Sequence, residues 1–111
     1  MTITVLKSKV HRARVTGANV KYEGSLTLDS DVMRAAGLVE YEKILVGNLT
    51  NGERFETYVI AGCPGSREVV LNGATAHLGK RRDLLTIMAF GQMTPTRARR
   101  FRPKKITLEK V

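Results

Sequence analysis

Between Val20 and Asp29 the apolar and polar positions of the chain alternate without a break. Val20, Tyr22, Gly24, Leu26 and Leu28 fall on one side, and Lys21, Glu23, Ser25, Thr27 and Asp29 on the other. Period-two alternation is the signature of a half-buried strand. It predicts one uninterrupted strand over Val20–Leu28, with the odd positions turned toward polar surroundings. An earlier strand is predicted over Val10–Thr16, joined to it by a turn at Thr16-Gly17-Ala18-Asn19. Asp29 or Ser30 then caps a short helix carrying Val32, Met33, Ala35 and Ala36, and Gly37 stands where a left-handed C-terminal residue is wanted.

Farther on, Lys43–Thr50 and Glu53–Ala61 read as strands flanking Asn51-Gly52, the strongest short hairpin signal, with a type I′ turn. Gly62-Cys63-Pro64-Gly65-Ser66 reads as a loop. Val69–Leu71 reads as a strand closed by Asn72-Gly73, and Ala74–Leu78 as one helical turn. Leu84–Phe90 is a nearly continuous apolar run, expected of a strand buried on both faces. Ile106 and Leu108 suggest a final edge strand. Seven or so strands with one or two short helices favour a mainly β fold, a compact β-barrel whose closure removes exposed edges. No linker or internal repeat divides residues 1–111, so one domain is expected.

Composition narrows the function classes. The chain has 111 residues, of which 42% are apolar, an ordinary globular fraction. A single cysteine, Cys63, excludes an internal disulfide framework or a cysteine-rich zinc site. His11 and His77 lack carboxylate partners at ligand spacing, so no metal is expected. The first residues show no signal-peptide pattern and no run is long enough to span a membrane, which leads us to expect a cytoplasmic protein. The net charge of +9 raises nucleic-acid binding. Two-thirds of that excess, however, lies between Arg97 and Lys110, where seven basic residues face only Glu109. Only Phe101 is interleaved there, a poor supply of stacking surface, so a solvated basic tail strand is the expected reading.

The candidate chemistry begins at Gly24-Ser25. A glycine in mid-strand marks a bulge or a close backbone approach. Here its carbonyl directly precedes a hydroxyl, the minimum for an N-to-O acyl shift. Three other clusters accompany it: Lys9-Val10-His11-Arg12, Asn51-Gly52-Glu53-Arg54-Phe55-Glu56-Thr57-Tyr58, and Asn72-Gly73-Ala74-Thr75-Ala76-His77. With Tyr22-Glu23-Gly24-Ser25, and with Gly65-Ser66-Arg67 ahead of the last block, they resemble the bacterial aspartate 1-decarboxylases, a pyruvoyl-dependent enzyme family. The resemblance runs from about Met1 to Pro103.

That resemblance implies a double-psi β-barrel assembling as a homotetramer, with sites between neighbouring subunits. It implies a precursor that cuts itself between Gly24 and Ser25 into residues 1–24 and 25–111. Ser25 would become a covalently bound pyruvoyl group and would form a Schiff base with L-aspartate. Carbon dioxide would leave, and β-alanine would feed pantothenate and coenzyme A synthesis. Gly24, Ser25, Thr57, Tyr58 and Asn72 match the self-processing residues, with Thr57 reaching the Gly24 carbonyl. Tyr58 matches the proton donor to the substrate carbon. Lys9, His11, Tyr22, Arg54, Thr57, Asn72, Gly73, Ala74 and Thr75 match residues of the substrate site. Arg54 offers a fork suited to a carboxylate and Lys9 a point charge. Alternation puts Arg54 and Tyr58 on one face of their strand and Thr57 on the other.

Two departures touch the pattern. Gly47 stands where some family members carry a bulky aromatic, and Lys80-Arg81-Arg82-Asp83 replaces a turn that usually has glycine before the aspartate. The residues leave open whether maturation is spontaneous or needs a helper protein. Two rivals to a working decarboxylase are a catalytically silent barrel and a basic nucleic-acid-binding barrel.

Overall fold

The computed structural model describes residues 1–109; Lys110, counted above with the basic segment, lies outside them. Eight strands form one sheet: β1 (Ile3–Arg14), β2 (Gly17–Asn19), β3 (Ser25–Asp29), β4 (Lys43–Asn48), β5 (Arg54–Gly62), β6 (Val69–Asn72), β7 (Leu84–Met93) and β8 (Lys104–Thr107). Helices are short: α1 (Ser30–Ala36), α2 (Pro95–Ala98) and a single 3-10 turn over Gly73–His77. The spatial order is β2-β6-β3-β5-β4-β7-β1-β8. Past its last paired residue, β1 continues through Thr16, whose N–H donates to the Val69 carbonyl at 2.8 Å. That bond links the two halves of the sheet into a barrel.

Rows of paired residues run across the sheet and decide which face is filled. Val10 pairs with Ile87, Ile87 with Val46, and Val46 with Phe55. Val10, Ile87 and Val46 are buried to within 1% of complete, so this row lines the interior. Leu26, Leu28, Ile44, Val59, Leu71, Leu85 and Ala89 complete the barrel core, and Met33 and Ala36 of α1 close one end. Each such large side chain contributes about 1.5–3 kcal/mol by leaving water. Residues of the alternate parity, among them Lys9, His11, Arg54 and Tyr58, therefore face outward.

The α1 signals read from sequence are realised. Asp29 caps the helix by accepting from the Asp31 N–H at 2.8 Å, and Gly37 ends it at φ 73° with its N–H bonded to the Met33 and Arg34 carbonyls. Several strand expectations need correction. The first strand, expected over Val10–Thr16, begins at Ile3 and ends at Arg14. The segment Val20–Leu28 is not one strand: it turns at Val20-Lys21, bends at Tyr22 and Gly24, and begins pairing at Ser25. The turn expected at residues 16–19 is instead β2, which pairs in parallel with β6. Asn51-Gly52 does not form a type I′ turn, because Gly52 has φ 83° while Asn51 is not left-handed. The Asn48 side-chain oxygen accepts the Thr50 and Asn51 N–H groups, which widens the loop to residues 49–52. β7 also runs three residues beyond its expected end, and only its inner positions are fully buried, since Phe90 is exposed.

Candidate functional site

The break before β3 builds the first cluster. Gly24 is exposed and Ser25, one residue later, is completely buried, so the peptide bond between them crosses from solvent into the protein. This corrects the polar-facing position that alternation predicts for Ser25. Its cover comes from the far end of β6. Ser25 pairs with Asn72 in the antiparallel β3–β6 ladder, and the 3-10 turn follows at once. Gly73, at φ 64°, lies so close to Gly24 that a Cβ there would sit 2.6 Å from the Gly24 N and Cα. Only glycine fits this backbone-on-backbone contact, both for its left-handed φ and for the missing side chain.

Hydrogen bonds then fix the Ser25 hydroxyl. It donates to the Glu23 carbonyl at 2.9 Å and accepts from Asn72 Nδ2 at 3.1 Å. The same Asn72 nitrogen donates to Thr27 Oγ1 at 2.9 Å. The Thr75 hydroxyl lies 2.7 Å from the Asn72 carbonyl and 3.4 Å from that of Ser25. Among the described residues, no side-chain base lies within hydrogen-bond reach of Ser25. The hydroxyl is thus held in place with its proton aimed at a backbone carbonyl two residues back. Such an arrangement orients a nucleophile and activates it only weakly.

Thr57 and Tyr58 approach from the other side of β3. Leu26 pairs with Val59 in the parallel β3–β5 ladder. Thr57 and Tyr58 stand just before that ladder begins, on the strand that neighbours the start of β3. Among the described residues, neither side chain hydrogen-bonds to Gly24 or Ser25. The Tyr58 ring instead leans on Tyr41, with centroids 6.1 Å apart. Tyr22 is exposed at the bend, with its carbonyl against Gly73, and Ala74 is exposed at the start of the turn.

The cationic residues assemble elsewhere. His11 pairs with Thr86, Thr86 with Gly47, and Gly47 with Arg54, one row across β1, β7, β4 and β5. The His11 Nδ1 is 3.0 Å from Thr86 Oγ1. Gly47 leaves a notch in this row, since a Cβ there would meet nothing within 4 Å. Lys9 lies two residues from His11 on the same outward face. The parallel β1–β8 ladder puts Lys105 directly beside it. Lys104 turns the opposite way, toward Gly37 at the end of α1. Among the described residues, no hydrogen bond or ion pair links Lys9, His11 or Arg54 to Gly24 or Ser25.

The structure brings Gly24, Ser25, Asn72, Gly73 and Thr75 together, and it adds Thr27, Thr86 and Lys105 as neighbours that the sequence reading did not single out. Thr27 was within reach of it, being two residues from Ser25 on the same strand face. Lys105 was not, because only a long-range parallel pairing places it beside Lys9.

Comparison with known proteins adds a separate finding. The profile of a family described as aspartate decarboxylase matches residues 1–111. The chain is 57% identical over 95 residues to an aspartate 1-decarboxylase of Coprothermobacter proteolyticus, covering 86% of this chain and 79% of that protein. It is 47% identical over 109 residues to one from Ruminiclostridium cellulolyticum, covering 98% and 85%. For one from Christiangramia forsetii the identity is 48%, over 96% and 91%. In fold, it resembles the computationally designed msDPBB_sym2 protein, a double-psi β-barrel, with a TM-score of 0.50 at 18% identity over 78% of this chain and 99% of that one.

Proposed function

Since the chain belongs to the aspartate decarboxylase family, we propose that it makes β-alanine and carbon dioxide from L-aspartate through a pyruvoyl group formed from its own Ser25. It is a carboxy-lyase of mainly β, double-psi barrel fold. The observation that carries the pyruvoyl reading is the fixed hydroxyl of Ser25, buried one residue after an exposed glycine whose backbone is pinned by Gly73. Maturation is self-cleavage. The Ser25 oxygen attacks the Gly24 carbonyl carbon, the C–N bond breaks, and the nitrogen keeps the serine proton, leaving an ester. Loss of the Ser25 α-proton expels residues 1–24 as a carboxylate. Water then releases ammonia from the new N-terminus of residues 25–111. Thr57, on the strand beside β3, supplies the hydroxyl for the developing oxyanion.

These residues fit such a group. Ser25 is buried, its carbonyl faces the Thr75 hydroxyl, and nothing larger than Gly73 crowds the bond to be cut. Once formed, the group supplies an electron sink for a substrate amine, which serine itself cannot do. Asn72 and Thr75 hold the backbone around it. Tyr58, on the same neighbouring strand, donates the proton that replaces carbon dioxide when brought within about 3 Å of the carbon. Arg54 and Lys9 bind the two carboxylates of aspartate, and His11, braced by Thr86, lines the pocket with Tyr22, Gly73 and Ala74.

No hydrogen bond or ion pair joins Lys9, His11 or Arg54 to Ser25 among the described residues, and the reading includes a second copy. We assign a homotetramer in which one subunit presents Ser25 and its neighbour the cationic row, working in the cytoplasm for pantothenate synthesis. Because Ser25 has no side-chain base, maturation is slow unless a partner protein assists it. The direct test is Ser25→Ala assayed for β-alanine. Complete loss of product with an unchanged melting temperature supports the reading, and retained turnover refutes it.

A further inference from the structure

At the far end of β3 from Ser25, about 13 Å away at strand rise, a cleft of about 710 Å3 is lined by Arg12, Arg14, Arg67, Arg81 and Arg82. One carboxylate already sits in it. Arg14 Nε donates to Glu109 Oε2 at 2.7 Å, its Nη2 donates to Glu109 Oε1, and Arg12 Nε donates to the Glu109 carbonyl at 3.2 Å. Those contacts hold the Glu109 carboxyl below its ordinary range, first through the Arg14 hydrogen bond.

The other arginines are not satisfied this way. Among the described residues, the guanidinium groups of Arg67, Arg81 and Arg82 make neither a hydrogen bond nor an ion pair. The remaining acids of the cleft are engaged with its own loop. Asp29 accepts the N–H groups of Asp31, Gly65 and Arg67, and Glu68 accepts the Cys63 N–H and the Ser66 hydroxyl. Arg12, Arg67 and Arg82 also hold left-handed backbone, at φ 60°, 62° and 81°, where glycine would be unstrained. Five arginines thus line one cleft whose Glu109 carboxylate is bonded, among the described residues, by Arg14 alone. An anion of higher charge would satisfy more of them, and a planar fork suits phosphate oxygens as well as carboxylates.

We propose that this cleft is a binding site for a small phosphate-bearing molecule, which displaces the Glu109 side chain from Arg14. The site is separate from the Ser25 cluster and is occupied in the resting chain by its own acidic residue. The test is calorimetric titration of the intact protein with inorganic pyrophosphate, with succinate as a dicarboxylate control. Removing the internal competitor by Glu109→Gln should tighten pyrophosphate roughly tenfold, whereas Arg67→Gln or Arg81→Gln should weaken it roughly tenfold. Ser25→Ala should bind as the wild type does. Succinate bound as tightly as pyrophosphate would overturn the phosphate assignment. Affinity unmoved by Glu109→Gln and by both arginine variants, at unchanged melting temperatures, would overturn the site altogether.

Discussion

The Ser25 cluster and the outward row of Lys9, His11 and Arg54 are built on opposite terms. Around Ser25 the groups are neutral, buried and hydrogen-bonded to one another, with glycine packed on glycine. Along the row Lys9 and Arg54 are cationic and the groups are less buried; Arg54 is exposed and, among the described residues, its side chain makes neither an ion pair nor a hydrogen bond. A cluster that must perform chemistry on its own backbone has to be complete within the chain that carries it. A surface that receives a dianionic substrate has to keep its charges available. On the proposed reading, self-processing would belong to one subunit and substrate recognition to two.

The largest expected effect comes from disturbing the first region. Gly73→Ala adds a methyl 2.6 Å from the Gly24 backbone at a left-handed φ of 64°. Strain of about 1–3 kcal/mol, before any steric shift, should lower the melting temperature by several degrees and stop cleavage, read by gel and thermal denaturation. Breaking the second region should leave cleavage intact. Arg54→Ala should still yield two fragments, while KM for L-aspartate rises roughly tenfold to a hundredfold. Mixing decides whether the two regions belong to different subunits. Ser25→Ala and Arg54→Ala chains, each nearly inactive alone, should recover about a quarter of wild-type sites when refolded together at equal amounts. No recovery in mixed oligomers would put both regions in one chain.

A smaller effect is expected from the other end of β3. The Asp29 carboxyl is held below the ordinary range, foremost by the Arg67 N–H and against the cost of its burial, with help from Asp31, Gly65 and Val32. A depressed carboxylate stabilises the fold above its unfolded pKa of about 3.9, and that contribution is lost as pH falls through the lower folded value. The melting temperature should therefore hold from neutrality to about pH 5 and fall in stronger acid. Asp29→Asn should be less stable at neutral pH and show a shallower acid decline. The smallest effect is Gly47→Ala, which fills open space and should change stability by no more than about 0.5 kcal/mol in chemical denaturation.

What could be read from the sequence follows from how local each signal is. The α1 caps at Asp29 and Gly37 are short-range chemistry and appear where expected. The 3-10 turn after Asn72 and most of β5 and β7 were equally legible. The break at Tyr22-Gly24 was not, because alternation continues through it while Val20 and Tyr22 are more than half exposed. Apolar residues there do not report burial. The parallel pairings of β3 with β5 and of β1 with β8 join distant segments with no turn between them to announce the register. The second pairing puts Lys105 beside Lys9, a neighbour that only the structure supplies.

The central claim is that Ser25 becomes the reactive group by cutting its own chain. An intact mass spectrum of the purified protein, before and after incubation at moderately raised temperature, tests it most directly. The account predicts fragments of residues 1–24 and 25–111, the larger having a ketone in place of its terminal amine. A single unbroken 12.3 kDa species that nonetheless turns over L-aspartate would contradict it.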